Sequence, residues 1–136
     1  GELRIANDLH DVGRESAVRK IPVVLFFSSK HCEYCDLVRD GFLKHLLTDP
    51  AFMNKLLLRE VRIDSTRALL DFNKQSITHA TFTEQRAIEL VPTIQFTDGL
   101  GDMLTEDIVG VTTLGFYGAY LEKAIEQSLS TLRPTN

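Results

Sequence analysis

The sequence predicts a single α/β domain built on a central mixed sheet of about four strands, flanked by helices on both faces. Three observations carry that expectation. Ile21 to Phe27 is an unbroken β-branched and aromatic stretch, the pattern of a strand covered on both sides. A helical period and a second apolar strand follow it, which together make a βαβ unit. The chain then closes with a strand, a turn, a strand and a long amphipathic helix. At 136 residues there is room for one core, and 43% apolar with 25% charged residues is a globular balance rather than a disordered or disulfide-stapled one.

Residues 1–20 form an N-terminal helical extension. Leu9, Val12 and Ala17 lie among charged side chains from Arg4 to Lys20, a short and weakly amphipathic helix with Asn7 or Asp8 as its cap. After the Ile21–Phe27 strand, Ser28-Ser29-Lys30-His31 breaks the pattern. From about Cys32 to Thr48, Val38, Phe42 and Leu46 recur at i, i+4 and i+8, so this helix presses onto the sheet. Gly41 inside it costs about 1 kcal/mol relative to Ala and marks a bend. Asp49-Pro50 reads as a cap and first residue of a short helix to about Lys55.

Leu56 to Ile63 is the second strand, parallel to the first because a helix lies between them. The stretch 66–83 is an elaborated connection. It holds a helical fragment around Arg67 to Phe72 and a polar loop at Asn73-Lys74-Gln75-Ser76. Thr83 to Leu90 returns to helix, and Val91-Pro92 stops it. Thr93 to Phe96, the Asp98-Gly99 turn and Met103 to Val109 make an antiparallel hairpin. Leu114, Tyr117, Leu121, Ala124, Ile125 and Leu129 then trace a helix to Leu132.

Lys and Arg number 15 against 19 Asp and Glu, a formal net charge of −4 with both signs scattered. No basic patch asks for nucleic acid or an anionic membrane. The longest apolar run, Val23 to Phe27, is far short of the roughly 20 residues that cross a bilayer. The chain opens Gly1-Glu2-Leu3-Arg4 with no initiator Met and no leader-like segment; a trimmed start and an already removed leader are the two expectations.

Cys32-Glu33-Tyr34-Cys35 holds both cysteines, where the first strand hands over to a helix. Unpaired N–H groups and a partial positive charge gather at such a turn, so a Cys32 thiolate is stabilised there. Cys35, one turn on, is close enough to attack a mixed disulfide on Cys32. Two other readings compete. A zinc site would have to recruit from His10, His31, His45 and His79, none of which forms a second closely spaced pair. Two structural thiols are the other. Covalent haem attachment fails because Asp36, not His, follows Cys35.

Phe26-Phe27-Ser28-Ser29-Lys30-His31-Cys32-Glu33-Tyr34-Cys35, with Val91-Pro92-Thr93 and Phe96-Thr97-Asp98-Gly99 further on, resembles the thioredoxin superfamily. The nearest subgroup in pattern is the thioredoxin-like proteins of bacterial cell envelopes. The resemblance covers Ile21 to the last helix. It implies a thioredoxin fold over residues 1–136, a nucleophilic Cys32, a resolving Cys35 and a cis-proline at Pro92. It also implies substrate contacts at Val91, Pro92, Thr93 and Tyr34, with Val91 offering its backbone to an extended segment. No organic cofactor or metal is implied. The partners are protein thiols or disulfides and a second dithiol protein that supplies or takes electrons, in the periplasm.

Three departures from the family pattern stand out. His31 replaces a Trp before the first Cys. As imidazolium it favours the thiolate, while Glu33 opposes it; a solvated His31 with no catalytic part is the other reading. Phe26 stands where the family carries a proton-relaying Asp. Glu60 on the second strand either reaches that space or is an exposed strand-end carboxylate. In the 66–83 connection, Phe72, Ile77, His79 and Phe82 either dress a substrate groove near Pro92 or cover the sheet. The expected activity is thiol–disulfide exchange on proteins, first as an envelope reductase and second as an oxidase or isomerase. A non-enzymatic thiol or metal-binding module on the same fold is the contrasting class.

Overall fold

The computed structural model describes residues 3–135. Five strands form the main sheet in the order β1-β3-β2-β6-β7: β1 (Arg4–Ile5), β3 (Leu57–Arg62), β2 (Val23–Ser28), β6 (Thr93–Thr97) and β7 (Ile108–Val109). The first three run parallel, and β6 and β7 join antiparallel, so the sheet is mixed as expected. Helices α1 (Leu9–Arg19) and α4 (His79–Gln85) contribute to the core on one face. On the other lie α2 (Glu33–Val38), a π turn (Arg39–Leu43), α3 (Lys44–Leu46) and α5 (Leu114–Leu132).

All six residues of β2 are buried, which explains the absence of polar alternation. Val24 and Phe26 enter the core under α2 and α5, and Val23, Leu25 and Phe27 enter the one under α1 and α4. Each such side chain contributes about 1.5–3 kcal/mol of burial. The last helix buries Tyr117, Leu121, Ala124 and Ile125 of its expected stripe, while Leu129 is half-buried and Leu114, in its first turn, is exposed. Asp8 caps α1, its carboxylate accepting the Asp11 N–H at 2.9 Å.

Several expected elements differ. The sheet gains β1, a two-residue edge strand that lies ahead of the α1 helix in the expected N-terminal extension. The helix after Cys32 is interrupted by the π turn, with Gly41 inside it. Asp49-Pro50 opens no helix. The Asp49 carbonyl accepts the Phe52 and Met53 N–H groups, and the chain then runs to the buried Leu56. The supposed helical fragment at Arg67 to Phe72 is instead β4 (Ala68–Leu70), antiparallel to β5 (Ser76–Thr78). Tertiary partners override its local preference: Leu69 is buried under α1, and the Leu70 N–H donates to the Asn7 carbonyl at 2.8 Å. Ser76 thus belongs to a strand rather than to the loop.

Helix α4 begins at His79, ahead of the expected Thr83, because the Thr78 hydroxyl caps it by accepting the Thr81 N–H at 3.0 Å. It stops at Gln85, well before Val91-Pro92, near Ala87 in the left-handed region at φ 55°. The expected strand from Met103 to Val109 shrinks to an isolated bridge between Thr97 and Met103 plus β7.

Candidate redox site

The two sulfurs lie at the exit of β2, where Ser28 is the last ladder residue. Cys32 and Cys35 are joined by a disulfide with Cα atoms 5.1 Å apart. Cys32 is the cap of α2, and its Sγ accepts the Cys35 backbone N–H at 3.1 Å. Its carbonyl accepts the Asp36 N–H at 3.1 Å. The local backbone explains the exposure difference: Cys32 is partly accessible at the helix mouth, while Cys35 faces inward and is fully buried in the core containing Phe26. Only one of the two can meet a large partner first.

His31 sits immediately before the cap, exposed and with φ of 58°, a left-handed conformation that His tolerates better than most residues. Glu33 and Tyr34 are both exposed on the first turn of α2, and Tyr34 is 60% accessible. The Val91–Pro92 peptide is cis. Pro92 is buried and its carbonyl accepts the Gly110 N–H at 2.8 Å, whereas the Val91 N–H and C=O bond to no other described residue. The Thr93 side chain is buried and its hydroxyl donates to the Leu90 carbonyl at 2.5 Å.

Glu60 is the residue whose setting the sequence least revealed. It pairs with Phe26 across the parallel strands and is 2% exposed, so it is no strand-end surface carboxylate. Ser28 Oγ and Arg39 Nη2 each donate to its Oε2 at 2.5 Å, Arg39 Nε donates to Oε1 at 3.2 Å, and Arg62 Nε stands 2.9 Å from Oε2. Burial pushes this carboxyl up, but the hydrogen bonds from Arg39 and Ser28 and the charges of Arg39 and Arg62 outweigh it and hold it below its ordinary value. Arg39 also lies over the Phe26 ring, 5.3 Å from its centroid. A signal was present: Leu58 and Glu60 share one face of β3, and Leu58 is core.

The side chains of the 66–83 connection that the sequence singles out pack onto the sheet. Phe72, His79 and Phe82 are buried beneath α1 and α4, with Ile77 packed against them. His79 Nδ1 accepts the Arg62 N–H at 3.0 Å, and its Nε2 lies 2.9 Å from the Ala6 carbonyl, so the ring is neutral with hydrogen on Nε2. Among the described residues no group of three His, Cys, Asp or Glu side chains gathers as a metal site, and no helix is long and apolar enough to cross a membrane.

A strand-exit disulfide with one accessible sulfur, capped onto a helix and backed by a mixed sheet, defines a thioredoxin-fold dithiol–disulfide site. No protein-family model matches the chain, and no curated protein matches it. Solved structures do. Thioredoxin O2 of Arabidopsis thaliana in its oxidized state is 21% identical with a TM-score of 0.57, the match covering 93% of each chain. A thioredoxin of Malassezia sympodialis is 19% identical with a TM-score of 0.61 over 95% of each. A thioredoxin-fold protein of Helicobacter pylori is 17% identical with a TM-score of 0.61, over 85% of this chain and 74% of that one. The resemblance read from the sequence therefore stands at the level of the thioredoxin fold.

Proposed function

We propose that the protein is a thiol–disulfide oxidoreductase acting on other proteins, with Cys32 as nucleophile and Cys35 as resolving thiol. The observation that carries this is the asymmetry of the pair: an accessible sulfur at the helix mouth and a buried one three residues on. A donor dithiol first reduces the Cys32–Cys35 bond. The Cys32 thiolate then attacks a substrate disulfide, making a Cys32–substrate bond and releasing the other substrate sulfur as thiolate. Cys35 gives its proton to the medium and attacks the Cys32 sulfur, which restores the internal disulfide and frees the second substrate thiolate. Two electrons have passed to the substrate.

The Cys35 N–H aimed at Cys32 Sγ supports a stabilised thiolate, since the same donor can serve the reduced, charged sulfur. Val91's free backbone groups suit an extended substrate segment pairing as a strand, with Tyr34 and Pro92 beside it. The Thr93 hydroxyl holds the preceding loop, and any contact of Thr93 with a substrate is through its backbone. His31 and Glu33 set opposing charges beside Cys32. Glu60, held as an anion, is a positioning residue for Arg39 rather than a proton carrier.

The finer reading, an envelope reductase in the periplasm, rests on the resemblance of the motifs to cell-envelope proteins. Equilibration with glutathione tests the direction: a potential near about −270 mV supports a reductase, and one near about −120 mV an oxidase. The exchange itself is tested by Cys35→Ala, which should accumulate mixed disulfides through Cys32 that reductant releases. A Cys35→Ala protein that traps no partner and is inert to disulfide peptides overturns the reading.

A further inference from the structure

We propose that a cationic cavity beside the redox site binds a carboxylate carried by the substrate protein close to the disulfide under attack. This deepens the oxidoreductase reading and rests on it. The cavity measures about 440 Å³, within the roughly 300–1,000 Å³ of small-ligand pockets, and is lined by Lys30, Arg62, Arg67, Asp64 and Ser65 among others. Three basic residues and one acidic residue thus line it, on a chain whose net charge is −4.

Two of those cations are not neutralised from within. Lys30 and Arg67 make no ion pair within 4 Å among the described residues. Arg62 is paired with Glu60, which it shares with Arg39, and Arg39 is also engaged by Asp36 at 2.8 Å, so Lys30 and Arg67 are the cations that carry the cavity's charge. The field is felt next door: burial first, and then the charges of Arg67 and Arg62, hold His79 below its ordinary value.

The walls are fixed. The Ile63 N–H donates to the Ser28 carbonyl at 2.9 Å, the Ala80 N–H to Ser65 at 3.0 Å and the His79 N–H to Arg67 at 2.9 Å. Ser65 Oγ accepts the Arg67 N–H at 3.0 Å. The cavity is also near the chemistry, because Lys30 precedes Cys32 by two residues and their Cα atoms lie no more than about 7 Å apart. An acidic side chain a few residues from the substrate cysteine reaches the cavity while its sulfur meets Cys32.

The test uses the full chain, reduced, against two disulfide-bonded peptides that differ only in Glu or Gln near the attacked cysteine. The measured quantity is the ratio of second-order reduction rates, acidic over neutral. A charge-assisted contact predicts a wild-type ratio of about 10, shrinking in high salt. Arg67→Glu and Lys30→Gln, both at exposed positions, should each pull that ratio down, the first to one or below. A wild-type ratio near one, or a ratio that survives both substitutions, overturns the cavity's role alone. A wild type that reduces neither peptide overturns the oxidoreductase reading, and this inference with it.

Discussion

Glu60 lies beside Phe26 in the parallel pairing of β2 and β3, so the buried carboxylate near the redox pair comes from the second strand and is tied down by Arg39. Removing its charge leaves the largely buried Arg39 with only the exposed Asp36 and takes the carboxylate partner from Arg62. Glu60→Gln should therefore cost roughly 3 kcal/mol at neutral pH, read by urea denaturation. The native carboxyl titrates below its ordinary value of 4.5, so its contribution is complete above that pH and is lost as pH falls below it. The variant should lose that acid-side slope, and an unchanged slope would contradict the ion-pair assignment.

His79 gives the second pH lever, on the opposite flank. The neutral ring joins Arg62 on β3 to Ala6 just after β1, and burial together with two arginines holds it below the ordinary 6.5. The unfolded chain binds more protons just below pH 6.5, so stability is full above that pH and falls as the solution is acidified toward the depressed native value. His79→Leu should lose about 1–3 kcal/mol at pH 7, from the stranded Arg62 N–H and Ala6 carbonyl. It should also flatten the pH dependence below about 6.5.

Gly13 sets helix propensity against packing. Ala would gain about 1 kcal/mol inside an exposed helix. Here a Cβ would run into the Gly99 carbonyl, where α1 crosses the turn after β6, and a backbone atom cannot swing aside as a side chain can. Overpacking of this kind costs about 1–3 kcal/mol. Gly13→Ala is expected to lower the thermal midpoint, by a net loss of up to about 2 kcal/mol; a rise would show that the two segments separate freely.

How much of this was legible in the sequence follows from where each element finds its partners. Helix α5 and strand β2 were readable because a long apolar stripe and an unbroken apolar run record burial directly. β4 was not, since Ala68-Leu69-Leu70 favours helix locally and becomes a strand only through Ser76–Thr78 and Asn7. The β1 edge is two residues long, too short to show a period. At the site, the Cys32–Cys35 disulfide and the cis Val91–Pro92 peptide fall where the motifs pointed. The burial of Glu60 was not, because its partners Ser28, Arg39 and Arg62 come from three separate segments.

The central claim is that Cys32 in the reduced protein is a stabilised thiolate, and its alkylation rate as a function of pH measures this most directly. In Cys35→Ala, with Cys32 the only thiol, the account predicts a midpoint clearly below the ordinary cysteine value of about 8.5 and rapid modification at neutral pH. A midpoint at or above about 8.5, with slow modification at pH 7, would contradict it.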